Sequence, residues 1–515
     1  MEKRQILNVI NFIRGCEPRR PTDLYEPICR QIELMKKHNL KGTFLLQYDA
    51  LIKEEYVDIM KSLDSEQFEL GIWFELNQPH VEKAGCEWTG RFAWDWHVHC
   101  GFSVGYTNAE REKLVDVLFD KFKEVFGYFP KVVGSWFFDS HSYKYMCEKY
   151  ELDAACSCKE QYGTDGYTLW GGYFSQGYYP SKENWFMPAQ TLENQIGVPL
   201  FRMLGSDPVY QYDNGMDIGS DKPRVQSVCT LEPVYCGSGL YNTKGGGVPE
   251  WVDWYMKENF NGECLSFGYT QAGQENSFGW PLMEKGLTYQ FGLFEQLQKE
   301  GKIVVEKFGE TGKWYKETYK TTPASAIVAH SAFDDENKNS AWYNSKFYRI
   351  NVHADNGSVR IRDLHVFSEN YPEAYVENPC TSTKCEFETL PVFDGNRHSA
   401  NGILGGGYIT YTDGTTPYVN KVKFEELGDG AMRLSYGEIT FELFEKSMKI
   451  TAEKPFTLEC KIGSTEHVPT VFERGENKLT LDYNGTKYSL DLKKGSFESD
   501  RVAKSDGNVL EVSFE

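Results

Sequence analysis

The chain has 515 residues, of which 40% are hydrophobic and 15% aromatic, and its formal net charge is −20. A chain of this length buries a large core without disulfide staples and has room for two or three domains. The acidic balance argues against a nucleic-acid partner, because phosphate contacts need clustered Lys and Arg, and it disfavours binding to a membrane surface.

The sequence also indicates where the protein resides. No apolar run approaches the ~20 residues that a membrane-spanning helix needs. The first residues lead directly into a strand-like segment instead of a signal sequence. The 13 cysteines have no regular framework, which is typical of reduced thiols. We therefore expect a cytoplasmic protein with no membrane partner, and a homo-oligomer is left open.

Strand-like and helical segments alternate through the first 310 residues. Strands are predicted at 6–14, 42–48, 68–76, 91–97, 131–138, 152–158, 199–204, 225–231, 264–271 and 302–307, and helices at 25–38, 51–63, 110–126, 141–150, 249–259 and 282–300. This order predicts parallel crossover units in a distorted (β/α)7-8 barrel or an open parallel sheet. Residues 162–188 interrupt the alternation and are rich in Gly, Tyr and Trp, which predicts a lid or binding loop.

From about residue 323 the hydrophobic pattern has a period of two. Short alternating strands are separated by Gly, Asn, Asp and Lys turns, including the hairpin signal at Asn484-Gly485. This pattern predicts an antiparallel β-sandwich. The predicted fold class is therefore α/β plus all-β, with a barrel catalytic domain at 1–318 and a β-sandwich domain at 319–515 that packs closely against it.

Acidic side chains follow many of the predicted barrel strands, where a parallel barrel places its active site. These are Glu17, Glu75, Asp95 with His97 and His99, Asp139 with His141, Asp207, Glu232 and Glu275. Converging carboxylates repel one another unless they share a cation, a proton or a ligand hydroxyl. On a strand at 91–97, alternation would place Asp95, His97 and His99 on one face.

Two chemistries use such a set of residues. Glycoside hydrolysis needs one carboxylic acid and one carboxylate, with aromatic rings to stack on sugars. Metal-assisted deacylation needs an Asp and two His around a divalent ion. Asp95, His97 and His99 have the composition for the second chemistry. However, same-face strand residues stand ~6.5 to 7 Å apart and reach one ion only if the strand bends.

The order of segments over about residues 1–310 resembles the distorted (β/α)7 barrels of the polysaccharide-deacetylase superfamily and of glycoside hydrolase families 38 and 57. The paired-Asp motif and the His-x-x-x-Ser/Thr-x-x-His motif of the deacetylases have no counterpart in IRGCEPRR and GIWFELNQPH. The resemblance therefore implies that the deacetylase metal triad is missing. Resemblance to family 57 implies a carboxylate nucleophile on a middle strand and an acid from a later strand, at the places of Asp139 and Glu275.

The sequence favours a glycoside hydrolase that acts on an oligosaccharide, a polysaccharide or a glycoside by carboxylate acid/base catalysis. Asp139, Glu75 and Glu275 are the predicted catalytic residues, and no metal ligand or cofactor is assigned. The predicted substrate-binding residues are Glu17, Arg19, Arg91, Asp95, Trp96, His97, His99, Trp136, His141, Trp170, Arg202 and Glu232. Among them the arginines would bind an acidic sugar. The alternatives are a metal-dependent deacetylase-like hydrolase holding a divalent ion and a non-catalytic carbohydrate-binding protein.

Overall fold

A computed structural model describes residues 3–210, 229–234 and 245–514. Its N-terminal part alternates strands and helices. The strands are β1 (Gln5–Ile13), β2 (Gly42–Leu46), β3 (Phe68–Trp73), β4 (Val132–Gly134), β5 (Ala154–Cys158), β6 (Gln161–Thr164), β7 (Tyr167–Trp170), β8 (Gly177–Tyr178), β9 (Leu200–Met203), β10 (Gly268–Ala272) and β11 (Val304–Glu306). The helices are α1 (Glu26–Lys37), α2 (Tyr48–Leu51), α3 (Glu54–Lys61), α4 (Gln78–Lys83), α5 (Val98–Gly101), α6 (Asn108–Phe126), α7 (Ser140–Lys149), α8 (Pro249–Asn259), α9 (Trp280–Lys299) and α10 (Phe308–Thr318).

Parallel strands form the N-terminal sheet in the order β10-β1-β2-β3-β4-β5-β9. β11 pairs with β1 in parallel, and β8 adds an antiparallel strand beside β9. The sheet curls, and β9 and β10 are linked by a hydrogen bond from the Leu204 amide, directly after β9, to Gln271 Oε1 in β10 at 2.7 Å. The carboxyl ends of the parallel strands therefore converge at one edge.

Local sequence explains why these elements form. The apolar run of β1 is buried along nearly its whole length, as expected of a strand covered on both faces. Helix α6 begins with a capping box between Thr107 and Glu110 and ends at Gly127, whose φ of 85° is left-handed. Gly71 lets β3 and β4 approach, since a Cβ there would lie 2.5 Å from Val132 O.

The predicted strand at 91–97 is wrong. These residues form an irregular segment before α5, and His99 lies within that helix. The reason is local: the Asp95 carboxylate accepts hydrogen bonds from the backbone amides of Arg91 and His97, at 2.8 and 3.2 Å. Such side-chain-to-backbone bonds compete with strand pairing. The same-face argument for Asp95, His97 and His99 therefore fails. Most of the predicted strand at 225–231 lies outside the described residues.

The C-terminal part is antiparallel, as predicted. Its strands are β12 (Ser325–Ala329), β13 (Lys338–Asn344), β14 (Tyr348–Asp355), β15 (Ser358–Val366), β16 (Cys385–Glu388), β17 (Leu390–Asp394), β18 (Gly406–Tyr411), β19 (Lys423–Gly428), β20 (Ala431–Tyr436), β21 (Ile439–Leu443), β22 (Ser447–Ala452), β23 (Phe456–Lys461), β24 (Thr470–Arg474), β25 (Lys478–Tyr483), β26 (Thr486–Lys494), β27 (Ser496–Ser499), β28 (Val502–Lys504) and β29 (Val509–Phe514). One large sheet has the order β12-β13-β14-β15-β18-β23-β28-β27, with β17 beside β15, and the other has the order β19-β20-β21-β22-β29-β26-β25-β24.

The predicted hairpin is confirmed. Residues 484–485 connect β25 to β26, and Asn484 and Gly485 both have positive φ, at 52° and 81°. Two successive positive φ values are the signature of the type I′ turn that Asn-Gly favours. In the part of the chain that the structure describes, no helix is both long and apolar enough to span a membrane.

The segment predicted as a lid joins the two parts of the chain instead. Strand β7 pairs in parallel with β16 of the C-terminal part. Trp170 Nε1 donates a hydrogen bond to Asp394 Oδ2 at 2.8 Å, and Tyr173 Oη donates one to Pro323 O at 2.7 Å. The aromatic residues that suggested a binding loop are therefore largely buried in the contact between the two parts.

Candidate functional site

Three carboxylates from strand ends meet at one buried arginine. Arg14, which follows β1, is 3% exposed. Its Nη2 donates to Glu275 Oε2 at 2.7 Å and lies 3.4 Å from Glu75 Oε2, and its Nη1 lies 3.5 Å from Glu17 Oε2. Glu75 follows β3 and Glu275 follows β10, so the curled sheet brings them together. We call Arg14, Glu17, Glu75 and Glu275 the Arg14 cluster.

Side-chain amides fix the backbone of this cluster. Asn276 Oδ1 accepts a hydrogen bond from the Arg14 amide at 3.0 Å, and Asn276 Nδ2 donates to Arg14 O at 2.9 Å. On the other side, Gln47 Nε2 donates to Glu75 O at 3.0 Å. The carboxylates are therefore held by strand ends and buried amides rather than by mobile loops, which is the arrangement that a catalytic site needs.

The two buried glutamates of the cluster have different surroundings. Burial, together with the negative charge of Glu275, raises the pKa of Glu75 to about 7, although Arg14 and the indole of Trp73 oppose the shift. That indole Nε1 lies 3.0 Å from Glu75 Oε2. Glu275 receives the shorter Arg14 contact and also a hydrogen bond from Ser277 Oγ at 2.5 Å. Carboxyl groups with contrasting environments are typical of an acid and carboxylate pair.

Aromatic rings cover the cluster. The Arg14 guanidinium lies 4.0 Å from the centre of the Trp94 ring, and the Arg19 guanidinium lies over the same ring at 4.7 Å. Trp73 packs edge-on against Trp136 at 5.1 Å. Trp96, which is half-buried, lies farther out beneath Arg19 at 5.5 Å. The structure therefore places the predicted residues Trp136, Trp96, Arg19 and Glu17 around Glu75 and Glu275.

Asp95, His97 and His99 do not fit a metal triad. The Arg91 guanidinium donates to both oxygens of Asp95, at 2.8 Å each. Although burial opposes ionisation, these bonds lower the pKa of Asp95 to about 2. His97 Nδ1 stands 4.0 Å from Asp95 Oδ1, and the His97 and His99 ring centres are 5.8 Å apart. Both oxygens of the Asp95 carboxylate are therefore already bonded to Arg91.

Metal-ligating side chains converge elsewhere in the described part of the chain. There, the one group of three with mutually close ligand atoms is Glu386, Glu388 and His467. Arg397 contacts both of these glutamates, with its Nη1 2.6 Å from Glu388 Oε2. A guanidinium therefore already supplies the positive charge at that group.

Three predicted site residues lie away from the Arg14 cluster. Asp139 is fully buried, caps helix α7 and pairs with Arg111 at 3.0 Å. His141 Nε2 lies 3.0 Å from Glu112 Oε1. Trp170 is 1% exposed and belongs to the contact between the two parts of the chain. The structure does not bring these three residues to the candidate site.

Arg202 lies in β9, and Glu232 lies in the described segment 229–234. Arg202 is 2% exposed, lies over the Phe186 ring at 4.7 Å and stands 3.7 Å from Glu160. Glu232 Oε1 accepts a hydrogen bond from Gln274 Nε2 at 2.6 Å, and Gln274 directly precedes Glu275. Glu232 therefore adjoins the cluster, and Arg202 does not.

Sequence reasoning missed Arg14, Trp94 and Lys159. Lys159 follows β5, is 4% exposed, and burial lowers its pKa despite the nearby charges of Cys158 and Glu232. The available signal was position, because Arg14 and Lys159 each stand at or directly after the end of a predicted strand. Of the two cations, Arg14 is the one that binds the carboxylates Glu75 and Glu275, whereas Lys159 donates to Glu160 O.

Comparison with known proteins shows the fold. No protein-family profile matches the chain, and no curated protein does. A solved structure from Parabacteroides distasonis, provisionally described as a glycoside hydrolase/deacetylase, is similar with a TM-score of 0.55 and 16% identity, over 76% of this chain and 91% of that one.

Two more distant structures have lower TM-scores. One is provisionally described as a polysaccharide deacetylase from Mycobacterium smegmatis, with a TM-score of 0.36 and 10% identity over 62% of this chain and 92% of that one. The other is a family 57 branching enzyme from Thermococcus kodakaraensis, with a TM-score of 0.31 and 10% identity over 62% and 72%. The chain therefore shares its overall fold with the Parabacteroides distasonis protein.

Proposed function

We propose that the protein is a carbohydrate-processing hydrolase, and specifically a glycoside hydrolase in which Glu75 is the general acid and Glu275 is the catalytic carboxylate. The observation that carries this proposal is the pairing of the two residues on Arg14, with the pKa of Glu75 raised to about 7 by burial. A carboxyl group with that pKa is about half protonated at neutral pH, so a large share of the molecules carry the proton that a general acid donates.

The geometry supports a double-displacement reaction. Because Glu75 Oε2 and Glu275 Oε2 lie 3.4 and 2.7 Å from one Arg14 nitrogen, these two oxygens, the ones that face Arg14, are at most about 6 Å apart. Retaining glycosidases separate their two carboxyls by about 5 to 5.5 Å, whereas inverting enzymes need about 6.5 to 9.5 Å. In the proposed reaction Glu75 protonates the leaving oxygen, Glu275 attacks the anomeric carbon, and Glu75 then activates the water that releases the sugar.

Other side chains support these two roles. Arg14 offsets the charge of Glu275 and so permits two buried carboxyls at one place, which makes it a positioning residue. The half-buried ring of Trp96 is the aromatic side chain available to a sugar ring, whereas Trp94 and Trp136 are buried and pack around the cluster. In this proposal the curled sheet is a distorted (β/α)7 barrel, and the two antiparallel C-terminal sheets form a β-sandwich.

A metal-dependent deacetylase is the second candidate, and it rests on the description of the Parabacteroides distasonis structure as a glycoside hydrolase/deacetylase. The residues favour it less, because Asp95 is bound by Arg91 and is not free to hold an ion. If the deacetylase reading were correct, the purified protein would release acetate from an acetylated sugar, and the activity would be lost in His97→Ala.

The test compares hydrolysis of a panel of aryl glycosides by the wild type, Glu75→Gln and Glu275→Gln. Glu69→Gln is the control, since Glu69 is a half-buried glutamate at the opposite end of β3, where its carboxylate accepts a hydrogen bond from Gly309 N. We expect either active-site change to lower kcat by about 10²- to 10⁴-fold. We expect the control to keep its rate. Full activity in both variants, on a glycoside that the wild type cleaves, would contradict the proposal.

A further inference from the structure

An apolar cavity lies between the two C-terminal antiparallel sheets, and none of its lining residues belongs to the Arg14 cluster. Its volume is about 430 Å³. Residues of both sheets line it, and nearly all are apolar: Leu364, Val392, Phe393, Met448, Leu458, Cys460, Ile462, Val468, Pro469, Thr470, Val471, Leu479, Leu481, Leu490, Leu492, Phe497, Asp500, Arg501, Val502, Ala503, Leu510 and Val512. This volume lies within the usual range of ligand pockets, about 300 to 1,000 Å³.

The cavity is a feature of one end of the sheets and not of their whole interface. The side chains of Leu481, Leu490 and Leu492 around it keep 5 to 7% exposure. In the same sheet, Leu434 and Phe441 on β20 and β21 have 0%. Protein interiors are close-packed, and voids larger than a water molecule are few. An apolar space of this size is suited to an apolar ligand, because such cavities hold water poorly.

The mouth of the cavity carries one uncommitted positive charge. Asp500 and Arg501 line it, and the Asp500 carboxylate accepts a hydrogen bond from Arg474 Nε at 2.9 Å. Arg501 is exposed, and within the described residues no acidic side chain forms an ion pair with it. The exposed edge strand β24 adds Phe472, 56% exposed, next to the lining residue Val471. The rim is thus apolar with a free guanidinium.

We propose that this cavity binds a single-chain fatty carboxylate, with its alkyl chain between the two sheets and its carboxylate on Arg501. The transfer of each methylene group from water into the cavity has a favourable free energy. The guanidinium forms a charge-assisted pair with a carboxylate and sets the direction in which the chain enters. This inference is independent of the proposed glycosidase site and does not require catalysis.

The experiment titrates the full-length protein with dodecanoate and follows methionine methyl groups by NMR. Met448 lines the cavity, whereas Met432, on β20 of the same sheet, does not. We expect saturable binding of one dodecanoate per chain, with a shift of the Met448 methyl resonance and none at Met432. No shift at Met448, or equal shifts at both methionines, would overturn the proposal.

Two arginine variants test the carboxylate contact. Arg501→Gln removes the free guanidinium, and Arg433→Gln is the control because Arg433, on β20 and outside the cavity lining, is paired with Glu425 and Glu442. We expect Arg501→Gln to weaken dodecanoate binding roughly tenfold, as expected for the loss of a charge-assisted hydrogen bond. We expect Arg433→Gln to leave dodecanoate binding unchanged. Equal weakening in the two variants, or binding of dodecyltrimethylammonium as tightly as dodecanoate, would refute the carboxylate assignment.

A third variant tests the volume. Ala503 lines the cavity at 7% exposure, and Ala503→Phe fills part of it. We expect this variant to lose dodecanoate binding while keeping the wild-type unfolding temperature, and retained binding would contradict the proposal. If the variant fails to fold, the arginine pair still decides. Binding of phosphatidylcholine vesicles without binding of free dodecanoate would show that the ligand is a membrane lipid and would overturn the assignment to a free fatty carboxylate.

Discussion

Two buried arginines organise the N-terminal part of the chain in different ways. The Arg111 side chain donates hydrogen bonds to Asp139 and to backbone carbonyls, among them Ser103 O at 3.0 Å and Tyr106 O at 2.8 Å. Arg14 bonds the side chains of Glu75, Glu275 and Glu17 and lies on the face of Trp94. Both guanidinium groups are almost fully buried.

The two arginines differ in what else satisfies their carboxylate partners. Asp139 is also held by Ser142 N and Ser103 Oγ, at 2.8 and 2.5 Å, so its lone pairs are occupied by the fold. In the Arg14 cluster, Glu75 shares a single cation with Glu275 and has a raised pKa. Buried charge satisfied by backbone favours a fixed structure, whereas carboxyls that compete for one cation leave a proton to be moved.

The largest expected effect separates the two roles within the Arg14 cluster. Glu75→Gln should slow cleavage of an alkyl glycoside by about 10²- to 10⁴-fold. It should barely change kcat/KM for a dinitrophenyl glycoside, because that leaving group needs no proton, although kcat falls since Glu75 also activates the water in the second step. Glu275→Gln should lower kcat/KM for both substrates. Steady-state kcat/KM on the two substrates measures this, and equal losses in Glu75→Gln would contradict the acid role.

The next effect concerns stability. Arg111→Met leaves Asp139 buried without its cation, so we expect a loss of about 3 to 5 kcal/mol in the free energy of unfolding. Arg14→Met should cost less, since Glu75 can take up a proton. Urea unfolding at neutral pH measures both values. An equal or larger loss of unfolding free energy in Arg14→Met would contradict the distinction between Arg14 and Arg111.

The pH dependence of stability follows from Glu75. Because its folded pKa is raised from 4.5 to about 7, its contribution is fully present below about pH 4.5 and is lost as pH rises through about 7. The difference in unfolding free energy between the wild type and Glu75→Gln should therefore fall by about 3 kcal/mol across that pH range. The control is Glu373→Gln, because burial raises the pKa of Glu373 to about 8 beside Asp139. That variant should keep the Glu75 dependence.

The smallest expected effect concerns Trp96, the half-buried ring beside the Arg14 cluster. Trp96→Ala should raise KM by roughly two- to tenfold with little change in kcat, as expected for the loss of one stacked ring. Phe472→Ala, an exposed aromatic on β24, is the control and should change neither constant. A loss of kcat without a change in KM would place Trp96 among the supports of Glu75 and Glu275 rather than in sugar binding.

Periodicity was enough to predict most elements, since helices 249–259 and 282–300 match α8 and α9 closely. The convergence of Glu75 and Glu275 also followed from strand ends meeting at one edge. The strand at 91–97 was wrong because Asp95 bonds nearby backbone amides, which hydrophobic pattern does not reveal.

Asp139 illustrates the other limit of sequence reasoning. The sequence pattern around a carboxylate at a strand end is the same whether the side chain faces a pocket or caps a helix. Its partner Arg111 lies 28 positions away, in α6, and only the folded structure shows that contact. The prediction of a lid or binding loop at 162–188 failed for the same reason, because the partners of that segment belong to the C-terminal strands.

The most direct test of the central claim is covalent trapping of the enzyme by a 2-deoxy-2-fluoro glycosyl fluoride of a sugar that the protein cleaves. Intact-mass analysis followed by peptide mapping locates the adduct. The account predicts one fluoroglycosyl group per chain, attached to Glu275 and absent in Glu275→Gln. An adduct on Asp139 or on another carboxylate would contradict it.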